Sequence, residues 1–351
     1  MNTYTASPAA FRQVARALRE IDQYNESKEI AHLERAEAAL TAARAEDDEY
    51  LDAIFYSGMV TDLLGRPADA GPYFQRILDV SGRDDLKIEA KFNLAVANYH
   101  RYSHRYLEVA EQLFLQVIEE SADAGLRNLA RANLAQTYAM WSRPSFPQLQ
   151  AHNRGGAEMH AVHEHIRIMF EKSIHHVDEV RRELESSIAS SLSPEMRAKI
   201  AATADNAAGM ANMYLFDYPV PGKPGDEELL KQAVANLNSA EQKLPGDSAN
   251  TCDMASAHLR WGVLQMRNGG NAQKEFTLAE QYLIQVLTKL RPAYGFAFYE
   301  LGRLYRIWNR WDFAIAQFDR AAAIPDNYRD IDAKAVQAEK ERAASHDSSY
   351  P

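Results

Sequence analysis

One segment near the carboxyl end of the chain, residues 295–327, constrains the fold more than any other part of the sequence. Large apolar residues at Phe298, Leu301 and Tyr305 recur at helical spacing and therefore share one face of a helix. A turn is predicted at residues 309–310 because the apolar spacing is interrupted there. The apolar face of the helix that follows consists of Ala314, Phe318 and Ala321. The segment therefore predicts two helices joined as a hairpin.

Small and aromatic residues alternate in this hairpin, so that Gly302 lets the helices approach closely while Trp311 fills space beside them. The order and spacing resemble the tetratricopeptide repeat (TPR), a hairpin of about 34 residues that must stack on copies of itself to bury its apolar face. The resemblance implies a right-handed α-solenoid of antiparallel helix pairs. It also implies a concave groove, lined by the first helix of each pair, that binds a peptide or another protein, and it implies no enzyme.

Further copies of the pattern occur upstream. The clearest has Gly58 on its first helix, Gly65 in its turn and Phe74 on its second helix, at the spacing of the C-terminal unit. Less regular copies are anchored by Leu94, Leu134, Gly209 and Gly262. Because these copies follow one another along most of the chain, we expect an all-α protein built from stacked hairpins.

This pattern predicts three regions. Residues 1–48 form a capping hairpin that is TPR-like but lacks large aromatic anchors. Residues 49–327 form a solenoid of about six repeats, interrupted by insertions at 142–156 and 216–226. Residues 328–351 form a capping helix and a flexible tail. The insertions contain prolines and aromatic residues and are expected to plug the groove, to dock a partner or to staple neighbouring repeats.

Composition limits the class of protein and its partners. Hydrophobic residues make up 46% of the chain and charged residues 25%, which suits a helical globular protein. The net charge of −10 disfavours a nonspecific nucleic-acid binder, since phosphate contacts need positive charge. No long apolar run predicts a membrane span, and the single cysteine excludes an intrachain disulfide. We therefore expect a soluble cytoplasmic protein with protein or peptide partners.

The TPR resemblance assigns a set of residues on the first helices to the groove, where they would contact a partner. They are Phe55, Met59, Phe92, Val96, His100, Gln136, Met210, Tyr214, Leu259, Met266, Tyr299, Arg303 and Arg306. Much of this set is apolar, which suits an amphipathic helix or an extended apolar peptide. The Lys and Asn residues with which some TPR proteins grip a C-terminal carboxylate are absent from these positions. An alternative is that several of these residues belong to the core between repeats.

Two polar clusters allow more specific hypotheses. Arg303 and Arg306 lie three residues apart and would bind an acidic motif of a partner, although Glu300 is placed to pair with Arg303 on a solvated face. Residues 160–165 and 175–179 are rich in histidine and acidic residues, but they match no zinc-protease pattern. We expect solvent-facing histidines there, with a pH-dependent surface as an alternative, and no metal or cofactor.

The sequence therefore favours a noncatalytic interaction protein, an adaptor or scaffold that binds a peptide or protein in its groove. The alternative is a regulatory sensor subunit that binds a peptide or small ligand and controls a separate enzyme or transcription factor. Cys252 and His258 are too far apart around a helix to form a nucleophilic pair, so catalysis is not expected. The sequence leaves a homo-oligomer open.

Overall fold

The computed structural model describes residues 7–101, 103–143, 156–186, 191–217, 226–325, 331 and 333–350. In these ranges it contains fifteen α-helices and no strand. The helices are α1 (Pro8–Ser27), α2 (Ile30–Glu46), α3 (Leu51–Leu63), α4 (Pro67–Val80), α5 (Asp84–Tyr99), α6 (His104–Glu120), α7 (Ala124–Trp141), α8 (Gly156–Glu185), α9 (Pro194–Asp217), α10 (Asp226–Lys243), α11 (Ser248–Arg267), α12 (Gln273–Gln285), α13 (Gly295–Ile307), α14 (Trp311–Ala323) and α15 (Ala333–Ala344). The prediction of an all-α fold is confirmed.

The helices belong to two compact units. The first unit contains α1 to α6 and the second contains α7 to α15. Within each unit, consecutive helices pack as hairpins, for example α3 with α4, α9 with α10 and α13 with α14. The predicted helix pairs are therefore present.

Four hairpins share a close approach between a glycine on the first helix and a large side chain on the second. A Cβ atom at Gly302 would lie only 2.5 Å from Cε1 of Phe318, and one at Gly58 would lie 2.7 Å from Cζ of Phe74. The other two pairs are Gly209 with Leu237 and Gly262 with Phe276. A glycine at these positions lets the buried side chain of the second helix fill the space that a methyl group would occupy.

Two of the hairpin turns contain a residue in the left-handed conformation, which is common just after the end of a helix. Gly65 and Asn309 have φ angles of 78° and 60°, in the left-handed region that glycine and asparagine tolerate best. In the last hairpin the backbone N–H of Arg310 then donates to the carbonyl oxygen of Tyr305 over 2.8 Å. This bond satisfies a carbonyl that the end of the helix would otherwise leave without a donor.

The helices nearest the two ends of the chain are held by different contacts. At the amino end, Ser7 caps α1 through its hydroxyl, which accepts from the N–H of Ala10 over 3.2 Å, and Pro8 is the first helical residue. At the other end, α15 packs on α14 as the expected capping helix. The tail after α15 contacts α9, α11 and α13 through residues 347–350.

The two predicted insertions lie largely outside the described residues, at 144–155 and 218–225. The second begins later than predicted, since α9 continues through Phe216 to Asp217. In the part of the chain that the structure describes, no helix is both long enough and apolar enough to cross a bilayer.

Candidate functional site

The first helices of the hairpins in the second unit, α7, α9, α11 and α13, carry most of its buried polar side chains. We call the surface and interior formed by these four helices the inner face. So many buried polar groups require partners, because an unpaired buried charge costs on the order of several kcal/mol of stability. These partners define the geometry of the site.

Glu300 lies at the centre of the inner face and is 1% exposed. Its carboxylate accepts hydrogen bonds from Arg303 Nη1 over 2.9 Å and from Ser256 Oγ over 3.0 Å. Arg260 Nη1 lies 3.8 Å from the same group. Burial alone would raise the pKa of Glu300, but Arg303 and Arg260 outweigh it and lower that pKa below its usual value. Glu300 is therefore a buried anion held between two arginines.

Arg260 joins α11 to the end of α9. Its Nε and Nη2 atoms donate to the Asp217 carboxylate, with the shortest distance 2.6 Å, in a forked geometry that favours arginine over lysine. Its Nη1 atom donates to the carbonyl oxygen of Ser256 over 3.0 Å. All of its guanidinium nitrogens thus have acceptors, which accounts for the burial of so large a cation.

Arg306 occupies the last turn of α13 and is fully buried. Its Nε atom donates to Glu339 Oε2 over 2.7 Å, and its Nη1 atom donates to the main-chain carbonyl oxygens of Asp347 and Ser349 over 2.6 and 2.8 Å. Its Nη2 atom has no hydrogen-bond partner among the described residues, and the same holds for Arg303 Nε. The inner face therefore holds a stretch of main chain and retains unused donors beside it.

A second polar group lies nearer to α7. Gln136 Nε2 donates to Asn206 Oδ1 over 2.7 Å, and Asn206 Nδ2 donates to Asp253 Oδ2 over 3.0 Å. Burial raises the pKa of Asp253 to about 7, although the bond from Asn206 and the charge of Arg143 oppose the shift. This carboxyl group can therefore change its charge near neutral pH.

Aromatic side chains complete the inner face. The guanidinium carbon of Arg143 lies 3.4 Å from the ring centroid of Phe296, a close cation–π contact. Tyr214 is 1% exposed, and its hydroxyl has no hydrogen-bond partner among the described residues. A buried hydroxyl in that state is costly unless a ligand or water satisfies it.

The predicted groove residues of the second unit lie on this face, but most are closed to solvent. Leu259, Met210, Tyr214, Tyr299, Arg303 and Arg306 are buried, and Gln136 is half-buried. Met266, at 49% exposure, is open. Arg303 and Arg306 are thus neither an exposed docking pair nor a solvated ion-pair face. Their partners come from α13 itself, from α15 and from the tail that follows it. The contacts to α15 and to the tail could not be located from the local sequence.

The predicted groove residues of the first unit divide between core and surface. The rings of Phe55 and Phe92 pack edge-on against phenylalanines of the second helices, at 5.9 Å from Phe74 and 5.8 Å from Phe114. Both are buried, which fits their interpretation as core. The half-buried residues are Met59, Val96 and His100, and His100 Nδ1 lies 3.0 Å from Asp62 Oδ2.

Residues of the two histidine-rich segments contact neighbouring side chains. His176 stacks on the ring of Tyr138 at 5.7 Å between centroids and lies near Glu179, while Glu164 pairs with Arg167. No group of three histidine, cysteine or acidic residues in the described ranges is arranged to hold a metal ion. Cys252 is fully buried.

Sequence reasoning missed Asp217, Arg260, Asp253 and Tyr350. Asp217, Arg260 and Asp253 lie on first helices, and Tyr350 lies in the tail. The sequence signal that could have pointed to the first three is a charged residue on a helix that is otherwise expected to be buried. Their roles depend on contacts between segments up to 133 positions apart. Such pairing cannot be read from spacing along one helix.

No protein-family model and no curated protein matches this chain. Among solved structures, it is similar to a tetratricopeptide repeat protein from Parabacteroides merdae, with 11% identity over 96% of this chain and 100% of that one and a TM-score of 0.49. It is also similar to IFIT1 with Gppp-AAAA (13% identity, 93% and 70% coverage, TM-score 0.41) and to the TPR2AB domain of yeast Sti1 in complex with pHSP90 (13%, 85% and 99%, TM-score 0.29). The helix pairs of the described residues, with a glycine of the first helix packed on a large side chain of the second, agree with the predicted TPR-like fold. These similarities assign neither a partner nor a function.

Proposed function

We propose that this chain is a noncatalytic, cytoplasmic interaction module, an adaptor that binds a protein or peptide on the inner face of its second unit. One observation carries the proposal. Arg306, a fully buried side chain of a first helix, donates from one nitrogen to two main-chain carbonyl oxygens of the segment Asp347 to Ser349. A side chain that binds carbonyl oxygens in this way recognises a polypeptide rather than one particular side chain.

The net charge, one exposed apolar side chain and two arginine nitrogens without a partner in the described ranges indicate the class of partner. The net charge of −10 opposes binding to a phosphate backbone, so a protein or peptide is the better partner. Met266 gives an exposed, adaptable apolar contact at the end of α11. Arg303 Nε and Arg306 Nη2 are buried donors without a partner among the described residues, and a chain bound in place of the segment Asp347 to Ser349 would supply acceptors to them.

The proposal is tested by placing a photoreactive amino acid at Met266, on a first helix, and in a separate variant at Ile284, on α12. The two positions are matched, with exposures of 49% and 43%. After illumination in the native cells, the Met266 variant is expected to crosslink to one discrete protein, and the Ile284 variant is not. Equal crosslinking from both positions, or crosslinking from Ile284 alone, would contradict binding on the inner face.

A second candidate function is a regulatory sensor subunit that binds a small ligand and controls a separate enzyme or transcription factor. The buried hydroxyl of Tyr214 and the buried carboxyl of Asp253 favour it, since enclosed polar groups of this kind suit a small ligand. Native mass spectrometry of the purified protein distinguishes the two candidates. A bound small molecule that is lost on substitution Tyr214→Phe would favour the sensor.

A further inference from the structure

The tail that follows α15 turns back onto the second unit. The N–H of Asp347 donates to the carbonyl oxygen of Arg342 over 2.9 Å, and His346 has a φ angle of 58°, so the chain reverses after one residue in the left-handed region. The ring of His346 stacks on Trp311 at 5.1 Å between centroids. These contacts direct residues 347–350 along the ends of the first helices.

Tyr350 joins this tail to three of the first helices. Its hydroxyl donates to Asp217 Oδ1 over 2.6 Å. Its ring centroid lies 5.2 Å from the guanidinium carbon of Arg303 and 5.7 Å from that of Arg267. The side chain is therefore held by one acceptor and two cations, which come from α9, α13 and α11 respectively.

The contacts around Tyr350 favour a tyrosine at this position over other side chains. Asp217 already accepts from Arg260, yet one of its oxygens also receives the tyrosine hydroxyl. Phenylalanine would leave that acceptor position empty, and a carboxylate would face Asp217 with like charge. The two guanidinium groups favour an electron-rich aromatic ring. A tyrosine satisfies all three groups.

We propose that the inner face is a binding site for an extended peptide that presents a tyrosine, and that the chain's own tail occupies this site until such a peptide displaces it. The proposal rests on the proposed function, whose partner class it makes specific. Arg306 supplies the contacts to main chain that any peptide satisfies, and the group formed by Asp217, Arg303 and Arg267 supplies the selection for tyrosine.

Another peptide can displace the tail because the contacts of the tail are mostly polar and its residues are only partly buried. Tyr350 is half-buried, and Ser349 is exposed. The short connection to α15 gives the tail a local concentration on the order of millimolar, so an external peptide binds weakly until the tail is released. An external peptide binds only those molecules whose tail has left the site. Removing the tail therefore raises the apparent affinity for that peptide by the inverse of the fraction of such molecules.

The experiment uses the full chain and a fluorescein-labelled peptide with the sequence of residues 345–351, followed by fluorescence anisotropy. Tyr350→Ala is expected to bind the peptide at least about tenfold more tightly than the unsubstituted chain, because the internal competitor has lost its main contact. Phe313→Ala is the control, since it removes an exposed aromatic ring from α14, and it is expected to bind as the unsubstituted chain does. A peptide with phenylalanine in place of tyrosine is expected to bind about fivefold more weakly.

A second variant shows whether the gain depends on the site. Arg267 is exposed, so Arg267→Ala does not threaten folding, and the double variant Tyr350→Ala/Arg267→Ala is expected to lose most of the gained affinity. Circular dichroism and thermal midpoints establish that each variant is folded.

Three results would overturn the inference: a folded Tyr350→Ala chain that binds the peptide no better than the unsubstituted chain, equal binding of the tyrosine and phenylalanine peptides, or an unsubstituted dimer that Tyr350→Ala converts to a monomer. The last result would mean that the tail of one copy binds the inner face of another copy. If the peptide fails to bind while the crosslink from Met266 persists, this inference is wrong and the proposed function stands. If both fail, both are wrong.

Discussion

Arg306 Nε donates to Glu339 Oε2 over 2.7 Å, and this contact joins the last repeat to the helix that caps it. Both side chains are buried, and the same arginine also holds the carbonyl oxygens of the tail. Glu339 accepts a further hydrogen bond from Arg342 Nη1 over 3.0 Å. The guanidinium group of Arg306 therefore contacts both the capping helix and the tail.

Substitution Arg306→Met is expected to lower the free energy of unfolding by about 3 kcal/mol, because Glu339 remains as a buried charge with one partner fewer. The double variant Arg306→Met/Glu339→Leu is expected to recover more than half of that loss, since the uncompensated charge is removed with its partner. Thermal unfolding of the three chains provides the comparison. A double variant less stable than Arg306→Met would contradict this explanation.

Substitution Gly302→Ala is expected to lower the free energy of unfolding by about 1–2 kcal/mol, since overpacking against Phe318 outweighs the better helix propensity of alanine. The control is Gly82→Ala, where a Cβ atom would meet no atom within 4 Å. Its stability is expected to stay within about 0.5 kcal/mol of the unsubstituted chain. Equal effects at the two positions would exclude a close helix approach at Gly302.

Substitution Asp253→Asn is expected to change the dependence of stability on pH. The native pKa of about 7 exceeds the ordinary value of 3.8, so the native state binds more protons between these values and its stability falls as pH rises through that range. The neutral amide avoids this loss. The thermal midpoint of the variant, relative to that of the unsubstituted chain, is therefore expected to be higher at pH 8 than at pH 5.

The control for this experiment is Asp312→Asn, on the exposed surface of α14. Its midpoint is expected to differ from that of the unsubstituted chain by the same small amount at both pH values. A constant difference for Asp253→Asn as well would show that its carboxyl group titrates as an exposed group does.

The sequence predicts the hairpins because their determinants are local. Gly302 and Phe318 lie on adjacent helices of one hairpin, so their spacing along the chain already defines the contact. The same holds for Gly58 and Phe74 and for the cap formed by Ser7. Short-range patterns of this kind give the fold class and most helix positions.

The inner face is less predictable because its contacts join distant segments. The assignment of Arg303 to the groove came from its position on a first helix, which says nothing of what covers it. The ring centroid of Tyr350 lies 5.2 Å from the guanidinium carbon of Arg303, and the position of Tyr350 depends on the turn after α15. A tail of small polar residues looks flexible in sequence, and its hydrogen bonds to Arg306 appear only in the folded chain.

Binding on the inner face is tested most directly with the partner protein that crosslinks to Met266. Its affinity is measured for the unsubstituted chain and for two matched variants, Met266→Glu and Ile284→Glu. Both positions are partly exposed, so neither substitution is expected to unfold the chain. If the inner face binds the partner, Met266→Glu weakens binding at least tenfold and Ile284→Glu leaves it unchanged within about twofold. Weaker binding for Ile284→Glu, with Met266→Glu unaffected, would place the interaction on the second helices and contradict the account.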